Sequence, residues 1–119
     1  MATAAAGVRY RPAQRLRRPA EFQDTYRHGR RYGNEYFSAS ARRNELGHAR
    51  LGLSIAARTV GNAVQRNRIR RLVRESFRLQ QHELPAADIV IGARARVVGA
   101  HRAELRAGLM QLWKQIAAP

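Results

Sequence analysis

The residues with the most evident chemistry are arginines. Arg66, Arg68, Arg70, Arg71, Arg74 and Arg78 crowd one short stretch, with Asn67 among them and Glu75 as the one acid. A guanidinium offers a planar fork that matches two phosphate oxygens and a flat face that stacks on bases, so this density points to nucleic-acid binding. The whole chain agrees: 23 Lys+Arg against 8 Asp+Glu give a net charge of +15 over 119 residues, and Lys114 is the single lysine. An excess of this size repels itself in a folded domain and is expected where the partner is a polyanion.

Catalytic chemistry has no comparable signal. Metal-dependent nucleases need clustered carboxylates, and acid–base nucleases need paired histidines. Here Glu21, Asp24, Glu35, Glu45, Glu75, Glu83, Asp88 and Glu104 are scattered, and His28, His48, His82 and His101 lack ligand spacing. There is no cysteine, so disulfides and thiolate metal sites are excluded and a reducing, cytoplasmic setting is expected. No apolar run approaches the ~20 residues that a membrane span requires, so no membrane partner is expected. The expectation is a binding protein with no catalytic residue and no metal ligand of its own.

The elements that must position the arginines follow from patterning. Pro19 suits a first helical turn, Phe22 and Tyr26 share a helical face, and Gly29 offers a stop. Tyr32 and residues 35–40 read as extended chain. Residues 42–47, with Asn44 and Gly47, read as a hairpin connection. Leu51, Leu53 and Ile55 alternate with Gly52, Ser54 and Ala56, giving a strand with one apolar face and one small-residue face against which something can lie. Tyr36 and Phe37 are neighbours on a strand and should point to opposite faces.

Asn62 is a good helix N-cap, with Gln65 three residues on, and the helix should run to about His82 before Leu84-Pro85. Asp88-Ile89-Val90-Ile91-Gly92-Ala93 reads as a strand covered on both faces. Leu105, Leu109, Leu112, Trp113 and Ile116 define a closing amphipathic helix. Residues 1–14 read as a flexible basic tail and residues 15–119 as one domain, an α+β sandwich of helices on a mostly antiparallel sheet.

A helical wheel at 100° per residue places Ile69, Leu72, Val73, Ser76 and Leu79 between about 220° and 340° from Arg66, as the buried stripe. Arg66, Arg70, Arg74, Arg78, Asn67 and Arg71 fall between 0° and about 140°, with Phe77 among them and Arg68 at the edge. Like charges at i,i+4 weaken an isolated helix, and a merely solvated face would interleave glutamate. A strand rather than a tight helical turn precedes this helix, which argues against a DNA-reading helix-turn-helix. Aromatics beside arginines are suited to stacking unpaired RNA bases. DNA is therefore not expected as a partner, and a general RNA-binding protein or an autonomous nuclease are the competing classes.

The sequence resembles a known family, the protein component of bacterial ribonuclease P, over roughly residues 15–113. The resemblance rests on Arg66-Asn67-Arg68-Ile69-Arg70-Arg71-Leu72-Val73-Arg74-Glu75-Ser76-Phe77-Arg78, on Arg50-Leu51-Gly52-Leu53-Ser54, on Gly61-Asn62-Ala63-Val64, and on His82-Glu83-Leu84-Pro85 followed by Asp88-Ile89-Val90. It implies an α-β-β-β-α-β-α order, with helices on a four-stranded sheet and a left-handed β-α-β crossover, which is rare in general. It implies a protein subunit that assists a catalytic RNA in removing the 5′ leader from precursor tRNA, with Mg²⁺ held by the RNA at the holoenzyme level and no cofactor on this chain.

The same resemblance assigns Arg66, Asn67, Arg68, Arg70, Arg71 and Arg74 to the RNA subunit. It assigns Phe22, Tyr26 and Phe37 to a cleft for the single-stranded leader, flanked by Arg58 and Arg94. Ala57 stands where many relatives carry lysine, and Ser40 where some carry tyrosine, so leader contacts are expected to be weaker or differently distributed here.

Overall fold

A computed structural model describes residues 11–118. The elements run α1 (Pro19–His28), β1 (Arg30–Gly33), β2 (Phe37–Arg43), β3 (Arg50–Ser54), a short α2 (Ala57–Val60), α3 (Ala63–Gln80), β4 (Ala87–Ala93) and α4 (Arg102–Ala117). The α+β class and the order of long elements agree with the expectation, with α2 as an addition.

One pairing differs. The sheet order is β1-β2-β4-β3, so β4 separates the two strands expected to form a hairpin. β1 and β2 pair antiparallel, β2 and β4 pair antiparallel, and β3 lies parallel to β4. The 44–49 connection therefore spans the width of an inserted strand, ~10 Å at the usual strand spacing, instead of closing a tight turn. Asn44 anchors it. Its side-chain amide donates to the His48 carbonyl at 3.2 Å and to Asp88 Oδ1 at 2.9 Å.

Strand parity divides the sheet into two faces. Phe37, Ala39, Leu51, Ile89 and Ile91 share one face by register and are buried against α3 and α4. Leu105, Leu109, Leu112, Trp113 and Ile116 of α4 are all buried there, as their spacing predicts. β4 is covered on both sides over residues 87–91. The opposite face carries Ser38, Ser40, Gly52, Val90 and Gly92, and α1 lies across it. Gly52 is required by that close approach, because a Cβ there would stand 2.7 Å from the Phe22 ring. Phe22 thus occupies the room that the small-residue face was expected to leave.

The first described residues make contacts of their own. Residues 12–14 form a 3-10 turn, Gln14 donates its side-chain amide to Gln81 Oε1, and His48 Nε2 lies 3.0 Å from the Ala13 carbonyl. Leu16 is buried, with its N–H donating to the Leu51 carbonyl at 2.9 Å. Side-chain contacts thus tie residues 13 and 14, placed in the tail by the sequence reading, to the domain. The remainder of the expected tail, residues 1–10, lies outside the described residues.

A half-buried ion network joins α1 to the sheet. Arg50 donates from Nε and Nη2 to the two oxygens of Asp88, at 2.8 and 2.7 Å, and from Nη1 to Glu21 Oε2 at 2.8 Å. Burial pushes the Asp88 carboxyl up, but the Arg50 and Asn44 hydrogen bonds outweigh it and leave the pKa lowered. The Glu21 carboxyl is lowered chiefly by the Arg18 N–H, which it accepts at 3.0 Å as the cap of α1, with Arg50 adding to the shift. Removing one partner of a buried pair costs about 3–5 kcal/mol, and the partial exposure here favours the lower end. We expect Asp88→Asn to lower unfolding stability by about 3 kcal/mol at neutral pH. Lowered carboxylate pKa values give stability that is full above the unfolded values and lost as pH falls through the folded ones. Urea titrations of parent and variant should therefore converge as pH drops below ~4.

Candidate RNA interface

The arginine helix is positioned by its packed stripe. Asn62 caps α3, its side chain accepting the Gln65 N–H at 3.0 Å. Ile69, Val73 and Phe77, at i, i+4 and i+8, are buried. Trp113 of α4 meets Phe77 edge to face, with centroids 6.1 Å apart, and donates Nε1–H to Ser76 Oγ at 2.8 Å. These contacts turn the helix from the orientation the wheel predicts: Phe77, expected on the arginine face, is fully buried, while Leu79, expected in the stripe, is 55% exposed.

The turn redistributes the arginines. Asn67, Arg68, Arg71 and Arg74 are exposed, whereas Arg66, Arg70 and Arg78 are half-buried. The Nε of Arg66 is buried with no hydrogen-bond partner among the described residues, which marks the border of the packed stripe. Arg70 Nη1 donates to Asn67 Oδ1 at 3.2 Å, and Arg78 Nη2 pairs with Glu75 at 3.4 Å. Asn67, Arg71, Arg74, Glu75 and Arg78 enclose a shallow depression of about 340 Å³. The six residues expected to bind an RNA subunit thus share one helix, with the exposed four at the centre of its outer face.

The second candidate surface is an open groove of about 810 Å³ on the sheet face that α1 partly covers. Ser38, Ser40 and Gly92 form its floor with Ser54, and Tyr26, Arg31, Asn34 and Arg94 reach it from the rims. No carboxylate lines it. Gly92 keeps the floor low, since a Cβ there would stand 2.8 Å from Ser38 Oγ. Arg94 is steered across Gly33, where a Cβ would lie 2.9 Å from Nη2, and its Nε donates to the Phe37 carbonyl at 3.5 Å. Tyr26 is 44% exposed and offers its ring to the groove.

Of the five residues expected around a leader cleft, the structure brings Tyr26 and Arg94 together in this groove. Phe22 sits one helical turn before Tyr26 and is half-buried over Gly52, where it seats α1. Phe37 is a correction. It is fully buried in the core on the opposite face, against Gly108 of α4, and cannot line the groove. Arg58 is exposed on α2 but is not among the groove-lining residues. Tyr36 precedes β2, so strand parity does not govern it; its ring also packs at Gly108, and its hydroxyl donates to Glu104 at 2.7 Å.

Sequence reasoning missed Arg31, Asn34, Ser38 and Ser54 as groove residues. The signal was parity: if Phe37 faces the core, Ser38 and Ser40 face away, and Arg31 pairs with Ser40 in register. Among the described residues, no three His, Asp or Glu side chains cluster in a way that could hold a metal ion. No helix of the described residues is long and apolar enough to cross a membrane.

A ribonuclease P family model matches residues 10–117. The ribonuclease P protein component of Cronobacter sakazakii is 43% identical over 101 residues, 85% of each chain, and that of Salmonella newport is 44% identical over the same extent. The solved structure of the Staphylococcus aureus RNase P protein superposes with a TM-score of 0.81 at 32% identity, covering 86% of this chain and 94% of that one. The Thermotoga maritima RNase P protein superposes at 0.78 with 33% identity, covering 86% and 96%.

The two aromatic positions can be separated by measurement. Phe37→Ala should lower unfolding stability by about 3–5 kcal/mol, the usual range for truncating a buried aromatic. Tyr26→Ala should change it by less than about 0.5 kcal/mol, as an exposed substitution does. Denaturant melts of both variants check the assignment.

Proposed function

The chain belongs to the ribonuclease P protein family, and on that premise we propose that it serves tRNA 5′ maturation by binding two RNAs on two different surfaces. The exposed Asn67, Arg68, Arg71 and Arg74, with Arg66 and Arg70 beside them, bind the catalytic RNA subunit. The groove between Tyr26, Arg31 and Arg94 holds the single-stranded 5′ leader of precursor tRNA. The observation that carries this reading is the pairing of two arginine-bearing surfaces with no cluster of carboxylates or histidines among the described residues.

The chemistry follows from that division. Hydrolysis of the phosphodiester belongs to the RNA subunit and the Mg²⁺ it binds. The protein neutralises phosphates so that two polyanions can approach each other, an electrostatic contribution that weakens with added salt. Tyr26 stacks on an unpaired base, which any base can satisfy, while Arg31 and Arg94 hold phosphates on either side. The serine floor supplies hydroxyls and no bulk, so the strand can lie close to the sheet. On this reading the protein works in the cytoplasm, beside the precursor tRNAs it helps to process.

Reconstitution with the RNA subunit tests this. Cleavage of precursor tRNA at low Mg²⁺ should depend on the protein and recover in part at high Mg²⁺. Arg71→Ala/Arg74→Ala should weaken RNA-subunit binding and reduce the slope of log K against log salt by about 1–2, roughly one for each phosphate that is no longer neutralised. Tyr26→Ala should reduce affinity for leader-bearing precursor by about 1–3 kcal/mol and leave mature tRNA binding unchanged. Cleavage by the protein without RNA, or equal losses for both tRNA forms, would overturn the reading.

A further inference from the structure

The edge strand β1 carries arginines to both faces of the sheet. Arg31 pairs in register with Ser40 and belongs to the groove, whereas Arg30 pairs with Ala41 on the other face. There it borders a second hollow of about 430 Å³, lined also by His28, Tyr32, Arg43 and Pro85. Tyr32 lines both the groove and this hollow, so the two depressions meet around the β1 edge. Arg30, Arg31 and Arg43 are exposed and enter none of the ion pairs among the described residues; the nearby Asp24 is engaged by Arg42 at 3.7 Å.

We propose that the single-stranded track continues from the groove around β1 into this hollow, so that the chain grips leader nucleotides upstream of those that Tyr26 holds. The proposal rests on the leader reading of the groove and extends it. Three features favour unpaired RNA. The hollow, at about 430 Å³, has room for a nucleotide-sized group. The exposed His28 and the half-buried Tyr32, which also packs on the core, line it with rings, and rings suit the stacking of an unpaired base. Arg30 lies on the edge strand β1 and Arg43 at the end of the neighbouring β2, both outside the arginine face of α3 and on the side of the sheet away from β3, so they extend the groove and not the other surface.

The test uses reconstituted holoenzyme and precursors whose leaders are shortened stepwise from the 5′ end. With the parent protein, affinity should rise in two stages as the leader lengthens. The Arg30→Ala/Arg43→Ala variant should lose affinity increasingly with leader length, by about tenfold for the longest, with a salt slope smaller by about 1.4, the value for two single-strand phosphate contacts. Tyr26→Ala in parallel should lose the first stage. Loss of the first stage in Tyr26→Ala without any length-dependent loss in the double variant would sink the extension and keep the groove. No leader effect in Tyr26→Ala would sink the groove reading itself. Equal losses of the double variant on mature tRNA would show that the patch meets folded RNA. Self-association of that variant with unchanged leader dependence would show that the arginines only protect an open sheet edge. Either result overturns the proposal.

Discussion

The Arg50 fork is the interaction on which the architecture turns. One guanidinium holds the first helix, the edge strand β3 and the inserted strand β4 in a single half-buried constellation, with Asp88 taken bidentately and Glu21 at its remaining nitrogen. Arg50 and Asp88 face each other across β3 and β4, so the pair fixes the register of the parallel ladder at its first rung. Glu21 meanwhile caps α1 through the Arg17 and Arg18 N–H groups. The same carboxylate that starts the helix therefore decides where on the sheet it starts. Tyr26 reaches the groove because that start is fixed, and the groove exists because α1 covers only part of the small-residue face.

This use of charge also explains why a chain so rich in arginine can fold. Five of the eight acids form ion pairs among the described residues, and the two most buried of them are spent on Arg50. The remaining cations are left at the surface, where water and salt moderate their repulsion. Strand parity then sorts them. The apolar face takes α3 and α4 and closes the core; the face of serines and glycines stays open and takes arginines only at its rims. Two basic surfaces that would repel one another are held apart by the thickness of the core.

Much of this was legible in the residues themselves. Arginine density, the Asn62 cap, the continuous apolar run of β4 and the stripe of α4 are local signals, and each element formed where its pattern put it. What depends on distant contacts was not legible. The insertion of β4 between β2 and β3 is a non-local pairing that a short turn-like loop conceals. The rotation of α3 is set by Trp113, which lies thirty-six residues beyond Phe77 in sequence and selects it over Leu79. Phe37 shows the sharpest case. Its type suits a stacking platform, but its alternation with Ser38 puts it on the core face, and only the position of α4 says which face that is. The groove's serines were overlooked for the complementary reason, since small side chains matter by the space they leave.

The arginine helix carries a tension that its packing resolves. Arg66, Arg70, Arg74 and Arg78 recur at i,i+4, an arrangement that weakens an isolated helix by a few tenths of a kcal/mol per pair. Burial of Ile69, Val73 and Phe77 offsets that readily, at about 1.5–3 kcal/mol for each fully buried side chain. The helix is thus held from its inner side by the core and left free to be unfavourable on its outer side. That asymmetry is what a binding face for a polyanion needs. Repulsion among unneutralised arginines would be relieved by phosphates, so electrostatic strain carried by the free protein is available as affinity for a polyanion. A helix stabilised by interleaved glutamates would have surrendered that gain, and the near absence of acids on this face keeps it available.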